Sequence, residues 1–162
     1  MCMDLMRTIP KKNRGVHQAM NTDYVHSGYD KGHLYPVQHT STYDDMLATS
    51  TLTNAAPQEP SFNRGKWNAH EGRMLDLNNQ CSKVYIVTGV VPDYKVIPMN
   101  NRVRVAKYYW NAYCCVPKAG GKRTSLGYMG NSSSVKNCSL NDLEKILKKL
   151  LNKPFSVFRG KC

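Results

Sequence analysis

Acidic residues are scarce in this chain. Its 162 residues hold 11 Asp and Glu against 23 Lys and Arg, a formal net charge of +12. Such a charge repels itself and costs some stability, so it asks for a function. Nucleic acid is the usual polyanionic partner of a domain this basic; solubility alone and acidic membrane surfaces are the other readings. Long apolar runs are also missing. No stretch reaches the roughly 18 apolar residues of a membrane-spanning helix, which excludes that class. Six cysteines are present, at 2, 81, 114, 115, 138 and 162, but no CxxC pair, which argues against a structural zinc site. The opening "MCMDLMRTIPKKNR" contains no apolar core of a signal peptide. Either a targeting segment was removed, or the chain is a fragment, or the protein is intracellular. No internal repeat or long linker interrupts the sequence, so one domain is expected, residues 24–162, behind an irregular arm over residues 1–23.

What is present points to an oxidising compartment. An even number of cysteines in a small basic domain suggests disulfides, with the pairing left open. Cys114 and Cys115 sit in an apparent strand, so they should point to opposite faces and take different partners. The triplets Asn131-Ser132-Ser133 and Asn137-Cys138-Ser139 are compatible with glycosylation on a secreted or lumenal protein.

The element pattern is α+β. "GHLYPV" reads as a short strand. Residues 41–58 end in a loop, because Pro57 and Pro60 break regular structure. Residues 61–79 have helical character, with Phe62, Trp67, Met74 and Leu75 as the buried side, though Gly65 and Gly72 each weaken a helix by up to about 1 kcal/mol. "KVYIVTGVV", Lys83 to Val91, is the clearest strand and reads as a central one. A second strand is expected over Tyr109–Val116, then a Gly- and Ser-rich surface loop over residues 117–137. Its "GGKRTS" is not a phosphate loop, because arginine follows the lysine. Ser139 and Asp142 cap a final helix whose Leu140, Leu143, Ile146, Leu147, Leu150 and Leu151 recur at helical spacing. Asn152 and Pro154 end it.

Two stretches carry chemistry. "SGYDKGHLYP" sets Asp30, Lys31, Gly32 and His33 side by side. Histidine accepts a proton near neutral pH, and a preceding glycine lets backbone or substrate approach closely. A lone histidine is more often structural than catalytic. Hydrolysing a phosphodiester further needs a cation for the phosphoryl oxygens and groups to hold it. "TNAAPQEPSFNRGKWNAHE" supplies candidates. Asn54 precedes the proline loop. Asn63, Trp67 and Glu71 lie four residues apart, so on a regular helix they drift by only about 40° per step and share a face. An amide oxygen can ligate magnesium that keeps its waters, and a carboxylate one or two turns away can hold those waters.

Together, Asp30-Lys31-Gly32-His33, Asn54-Ala55-Ala56-Pro57-Gln58 and Asn63-Arg64-Gly65-Lys66-Trp67 with Glu71 resemble the motifs of the DNA/RNA non-specific endonucleases. The downstream "VYIVTGVVP", "NRVRVAKYYWNAYCC" and "PFSVFRGKC" resemble one vertebrate branch of that family. The resemblance spans about residues 24–162. It implies a ββα-metal (His-Me finger) nuclease fold, with a central, mostly antiparallel sheet flanked by helices. It implies His33 as general base, Asn63 as direct ligand of a hydrated Mg²⁺ (Mn²⁺ being the alternative ion), and Glu71 as the holder of that ion's waters. Asn54 would orient His33 or a phosphate oxygen, and Asp30 would have an orienting role. DNA and RNA are the implied partners. Lys31 stands where many members have arginine, so it loses a bidentate phosphate contact. The segment before Asp30 is shorter than usual, so an edge strand is expected to be missing. No arginine is singled out for the transition state; Arg64, Arg73, Arg102 and Lys107 are the candidate nucleic-acid cations. His26, His39 and His70 read as surface or supporting residues. Tyr35, Trp67, Tyr108 and Trp110 could stack bases, although core packing is the ordinary use of such residues.

Two readings of different class follow. One is a metal-dependent endonuclease with little sequence preference. The other is a nucleic-acid-binding or interaction module on the same fold, weak or inactive in catalysis. A disulfide-rich protein binding acidic glycans would explain the charge and cysteines but leave the motifs as coincidence.

Overall fold

The computed structural model describes residues 15–162. Cys2 and the first fourteen residues of the arm lie outside it. Elements follow in the order α1 (Asn21–Tyr24), β1 (Asp30–His33), α2 (Tyr43–Thr49), β2 (Ala55–Gln58), α3 (Pro60–Phe62), a π turn (Asn63–Trp67), α4 (Asn68–Leu75), β3 (Cys81–Pro92), β4 (Ala106–Pro117), β5 (Thr124–Asn131), β6 (Ser134–Cys138) and α5 (Leu140–Leu151). β1 and β2 form a two-stranded antiparallel sheet, and β3–β6 form a four-stranded antiparallel meander. This is an α+β arrangement in which β1, β2 and the helix after them make the ββα unit.

β4 organises the core, because both its faces are covered. Alternation sends Trp110 and Ala112 to one side, where they meet Leu143 and Leu147 of α5. It sends Tyr109 and Tyr113 to the other. Tyr109 packs on Phe62, Trp67 and Ala56 of the ββα unit, and Tyr113 clusters with Met74 and Cys81. The same alternation separates the adjacent cysteines. Cys114 pairs with Cys162 and Cys115 with Cys81, as different faces require. Cys138 is free. Residues 15–24 pack on the body through buried Asp23, which accepts from Met20 N–H at 2.7 Å and pairs with Arg102 at 3.3 Å.

α5 forms as its leucine spacing predicts. Ser139 Oγ accepts from Asp142 N at 3.1 Å, and Asn152 closes the helix in the left-handed region at φ 50°. Four other expectations need correction. The first strand stops at His33 instead of running on to Val37. Residues 41–58 are more regular than a loop. Thr42 caps α2, with Asp44 and Asp45 in its first turn, and β2 forms despite Pro57, which a two-stranded sheet tolerates because every strand is an edge. β3 is the edge of its sheet, leaving Tyr85 and Ile86 exposed; β4 is the buried strand. The expected surface loop over 117–137 contains β5 and β6. Its glycines suit turns, yet Gly127 lies within β5 as a close-approach site. A Cβ there would lie 2.7 Å from Leu143 Cβ. Gly127→Ala is therefore expected to cost about 1–3 kcal/mol through overpacking against α5. Urea unfolding of the variant beside the wild type checks this, and an unchanged midpoint would refute it.

Candidate active site

β1 delivers His33 by pairing His33 with Ala55 and Asp30 with Gln58. The strand can lie this close only because residue 32 has no side chain. A Cβ on Gly32 would sit 2.1 Å from Gln58 Oε1. Opposite β1, Glu59 caps the next helix by accepting from Ser61 N and Phe62 N. The helix then widens into a π turn over Asn63–Trp67. The extra width alters the expected shared face. Trp67 is 1% exposed and packs into the core, while Asn63 and Glu71 line an open cleft.

That cleft has a volume of about 480 Å³. His33, Gln38, Asn63, Arg64, Asn68 and Glu71 contribute to its walls. Arg64 grips Asp30 with two charge-assisted bonds, Nε to Oδ2 at 2.8 Å and Nη2 to Oδ1 at 2.6 Å. These bonds, with a further one from Asn63, hold the Asp30 carboxyl below its usual range despite partial burial. Asp30 is therefore an ionised acceptor. Asn63 donates to it through Nδ2 at 3.0 Å. An ionised carboxylate can only accept, so it fixes which end of the Asn63 amide faces it. The amide oxygen is left as the free donor atom.

Burial lowers the His33 pKa from 6.5, and its Nε2 is buried without a hydrogen-bond partner among the described residues. The ring is thus neutral at physiological pH. Burial raises the Glu71 carboxyl to about 7, offset only in part by hydrogen bonding from Gln38. Gln38 Nε2 lies 3.4 Å from Glu71 Oε2. Among the described residues no group of three or more His, Cys, Asp or Glu side chains could hold a metal ion. An amide oxygen beside a carboxylate suits an ion that keeps most of its waters.

The structure brings His33, Asn63, Glu71, Asp30 and Arg64 together. It places the other candidates elsewhere. Asn54 is committed to backbone: it accepts from Tyr35 N at 2.8 Å and donates to Tyr35 O and Thr49 O, each at 2.9 Å. It fixes the chain beyond His33 and does not line the cleft. Lys31 turns to Asn21 Oδ1 at 2.6 Å and over the Tyr24 ring. Arg102 serves Asp23 and Gln18 O. Lys107 lies over Tyr108, and Arg73 is exposed outside the cleft.

Three residues support the site or the core beneath it, and one of them, Gln38, was not anticipated. Gln38 carries no motif. His39 Nε2 meets Glu71 O at 2.9 Å. His70 is fully buried, not on the surface. It bonds Asn111 Oδ1 at 3.1 Å, stacks near Trp67 and Tyr128, and is held neutral by burial, its pKa lowered to about 4.

The chain has counterparts among known proteins. The sequence profile described as DNA/RNA non-specific endonuclease matches residues 8–153. The endonuclease domain-containing 1 protein of Homo sapiens is 36% identical over 157 residues, covering 91% of this chain and 29% of that protein. The mitochondrial endonuclease G of Homo sapiens is 39% identical over 74 residues, 45% of this chain and 25% of that one. The chain thus spans less than a third of the length of either relative. A crystal structure of an EndoG/EndoGI complex superposes with a TM-score of 0.68 at 23% identity, covering 78% of this chain and 60% of that one, which supports the fold. The chain belongs to the DNA/RNA non-specific endonuclease family.

Proposed function

We propose that this domain is a divalent-metal-dependent endonuclease that hydrolyses phosphodiester bonds of DNA and RNA with little sequence preference. One observation carries the reading: Asn63, pinned through its nitrogen by ionised Asp30, shares a cleft with neutral His33 and with Glu71. His33 takes a proton from a water molecule as its oxygen bonds to phosphorus, while the bond from phosphorus to the departing sugar oxygen breaks and that oxygen takes a proton from solvent. Asn63 Oδ1 would ligate a hydrated Mg²⁺ or Mn²⁺, and Glu71 would accept hydrogen bonds from its waters. When bound, the ion offsets charge on the phosphoryl and leaving oxygens. Arg64 keeps a cation at the cleft while tying down Asp30. The net charge of +12 supplies backbone affinity without reading bases. The two disulfides suit a secreted or lumenal site.

Supercoiled plasmid and ribosomal RNA, incubated with the protein and Mg²⁺, should both be cut, and EDTA should stop it. Folded protein that binds both but cuts neither in Mg²⁺ or Mn²⁺ would leave only a binding module.

Asp30→Asn provides a finer test. It removes the acceptor that orients Asn63 and frees Arg64. The Mg²⁺ concentration for half-maximal cleavage should rise roughly 10- to 100-fold, as for other losses of a ligand's support. A metal titration of wild type and variant decides it; identical curves would mean that the Asn63 amide needs no such lock.

A further inference from the structure

The fold selects among the aromatic residues able to stack a base. Trp67 and Trp110 are in the core, and Tyr108 is partly buried under Lys107. Tyr35 alone of the four is well exposed, at 54%, and yet it is fixed. Its backbone N–H and C=O are both bound by the Asn54 side chain. Its hydroxyl donates to His39 O at 3.1 Å, and its ring meets the His39 ring edge-on, 6.2 Å between centroids at 84°. An exposed ring held this way loses little further freedom when a ligand covers it.

Its position matters as much. Tyr35 lies two residues beyond His33, a span of at most about 7 Å. That is one or two nucleotide steps at the roughly 3.4 Å rise of a duplex strand. Pro36 lines both the catalytic cleft and a neighbouring groove of about 370 Å³, walled by Tyr35, Leu34, Leu75, Ile86 and Thr88. No lysine or arginine lines the groove among the described residues. The cleft carries a guanidinium, that of Arg64, whereas the groove offers the Tyr35 ring, apolar walls and the polar side chains of His39, Asn54, Asn78 and Thr88.

We infer that Tyr35 is the stacking platform for a nucleobase flanking the scissile phosphate, with the groove beside Ile86 receiving that base. The inference rests on the nuclease reading and names a part of its substrate site. Two variants test it. Tyr35→Leu keeps apolar bulk without an aromatic face, and Tyr35→Phe keeps the ring without the hydroxyl. Cleavage kinetics are measured on single-stranded oligonucleotides with and without one abasic nucleotide beside the cut. Binding of the same oligonucleotides is followed by anisotropy in EDTA.

Tyr35→Leu should raise KM and the EDTA Kd roughly 5- to 100-fold, the range for losing one stacked base, with kcat within about twofold. Tyr35→Phe should stay near wild type. The abasic substitution should penalise wild type and leave Tyr35→Leu unaffected. Unchanged KM and Kd in Tyr35→Leu overturn the inference. So does a fall in kcat alone, which would mark support of Glu71 through His39, and so does an abasic penalty equal in both proteins. Robust cleavage indifferent to Tyr35 sinks only this inference. Tyr35-dependent binding without cleavage by any protein sinks the nuclease reading and keeps only the stacking role of Tyr35. Failure to bind any oligonucleotide sinks both.

Discussion

Replacing His33 with alanine is expected to lower kcat by roughly 10²- to 10⁴-fold at pH 7, the usual contribution of a positioned general base. Among the described residues, neither neighbouring histidine offers a substitute. His39 is engaged with Glu71 O, and His70 is sealed beneath Trp67 and Tyr128. Neither can reach a water in the cleft without breaking the contacts that hold α4. The variant should bind nucleic acid as before, because His33 is neutral and adds no charge to the surface. Its pH profile supplies a second check. Burial holds the His33 pKa below 6.5. A base is active when unprotonated, so kcat/KM should fall only as pH drops below 6.5. At saturating Mg²⁺ the proposed site would hold Glu71 ionised, so that acid limb would report His33. Alanine retaining more than a tenth of wild-type kcat would assign the base elsewhere.

The site was more legible than its surroundings, and the reason is physical. Asp30, His33, Asn63 and Glu71 lie on a tight strand–strand–helix unit, so the motif's order in sequence constrains its order in space. What a side chain does once there depends on partners far away in sequence. Asn54 was expected to touch His33 or phosphate. It holds the backbone of Tyr35, and that is visible only once β2 pairs with β1. Lys31 lies within the Asp30–His33 motif, but its amine turns to Asn21 and Tyr24. Gln38 and His39 sit on a short 3-10 turn without a signature, and their partner is Glu71, more than thirty residues on. In the sheet, local composition misled. The glycine that suggested a loop, Gly127, leaves room for Leu143, and the most hydrophobic strand, β3, is an edge. α5 was legible because its cap, stripe and stop are all local.

Glu71→Gln should make the metal-free protein more stable at pH 8 while removing most of its activity. The Glu71 carboxyl has its pKa raised by burial from 4.5 to about 7. The folded state therefore holds a proton that the unfolded state releases between these values. Below about pH 4.5 both states are protonated and the carboxyl contributes no penalty. As pH rises to 7, the unfolded state ionises first and folding loses ground, and above about pH 7 the loss is complete. Its size is at most about 3.5 kcal/mol, from about 1.4 kcal/mol for each pKa step between 4.5 and about 7. Glutamine is neutral throughout and keeps the bond-accepting oxygen for Gln38. The variant should therefore melt several degrees higher than wild type at pH 8, at about 2–4 °C per kcal/mol, and together with it at pH 4. The buried histidines titrate alike in both proteins and cancel in the comparison. Adding Mg²⁺ should raise the wild-type melting temperature and narrow the gap, because an ion that binds only the folded state stabilises it. The glutamine variant should respond far less. Calorimetry at the two pH values, with and without Mg²⁺, distinguishes this from a structural role. A variant less stable than wild type at both pH values would show that Glu71 supports the fold. A variant more stable only at high pH, and insensitive to Mg²⁺, would show a carboxylate held in an unfavourable place because the reaction needs its charge there.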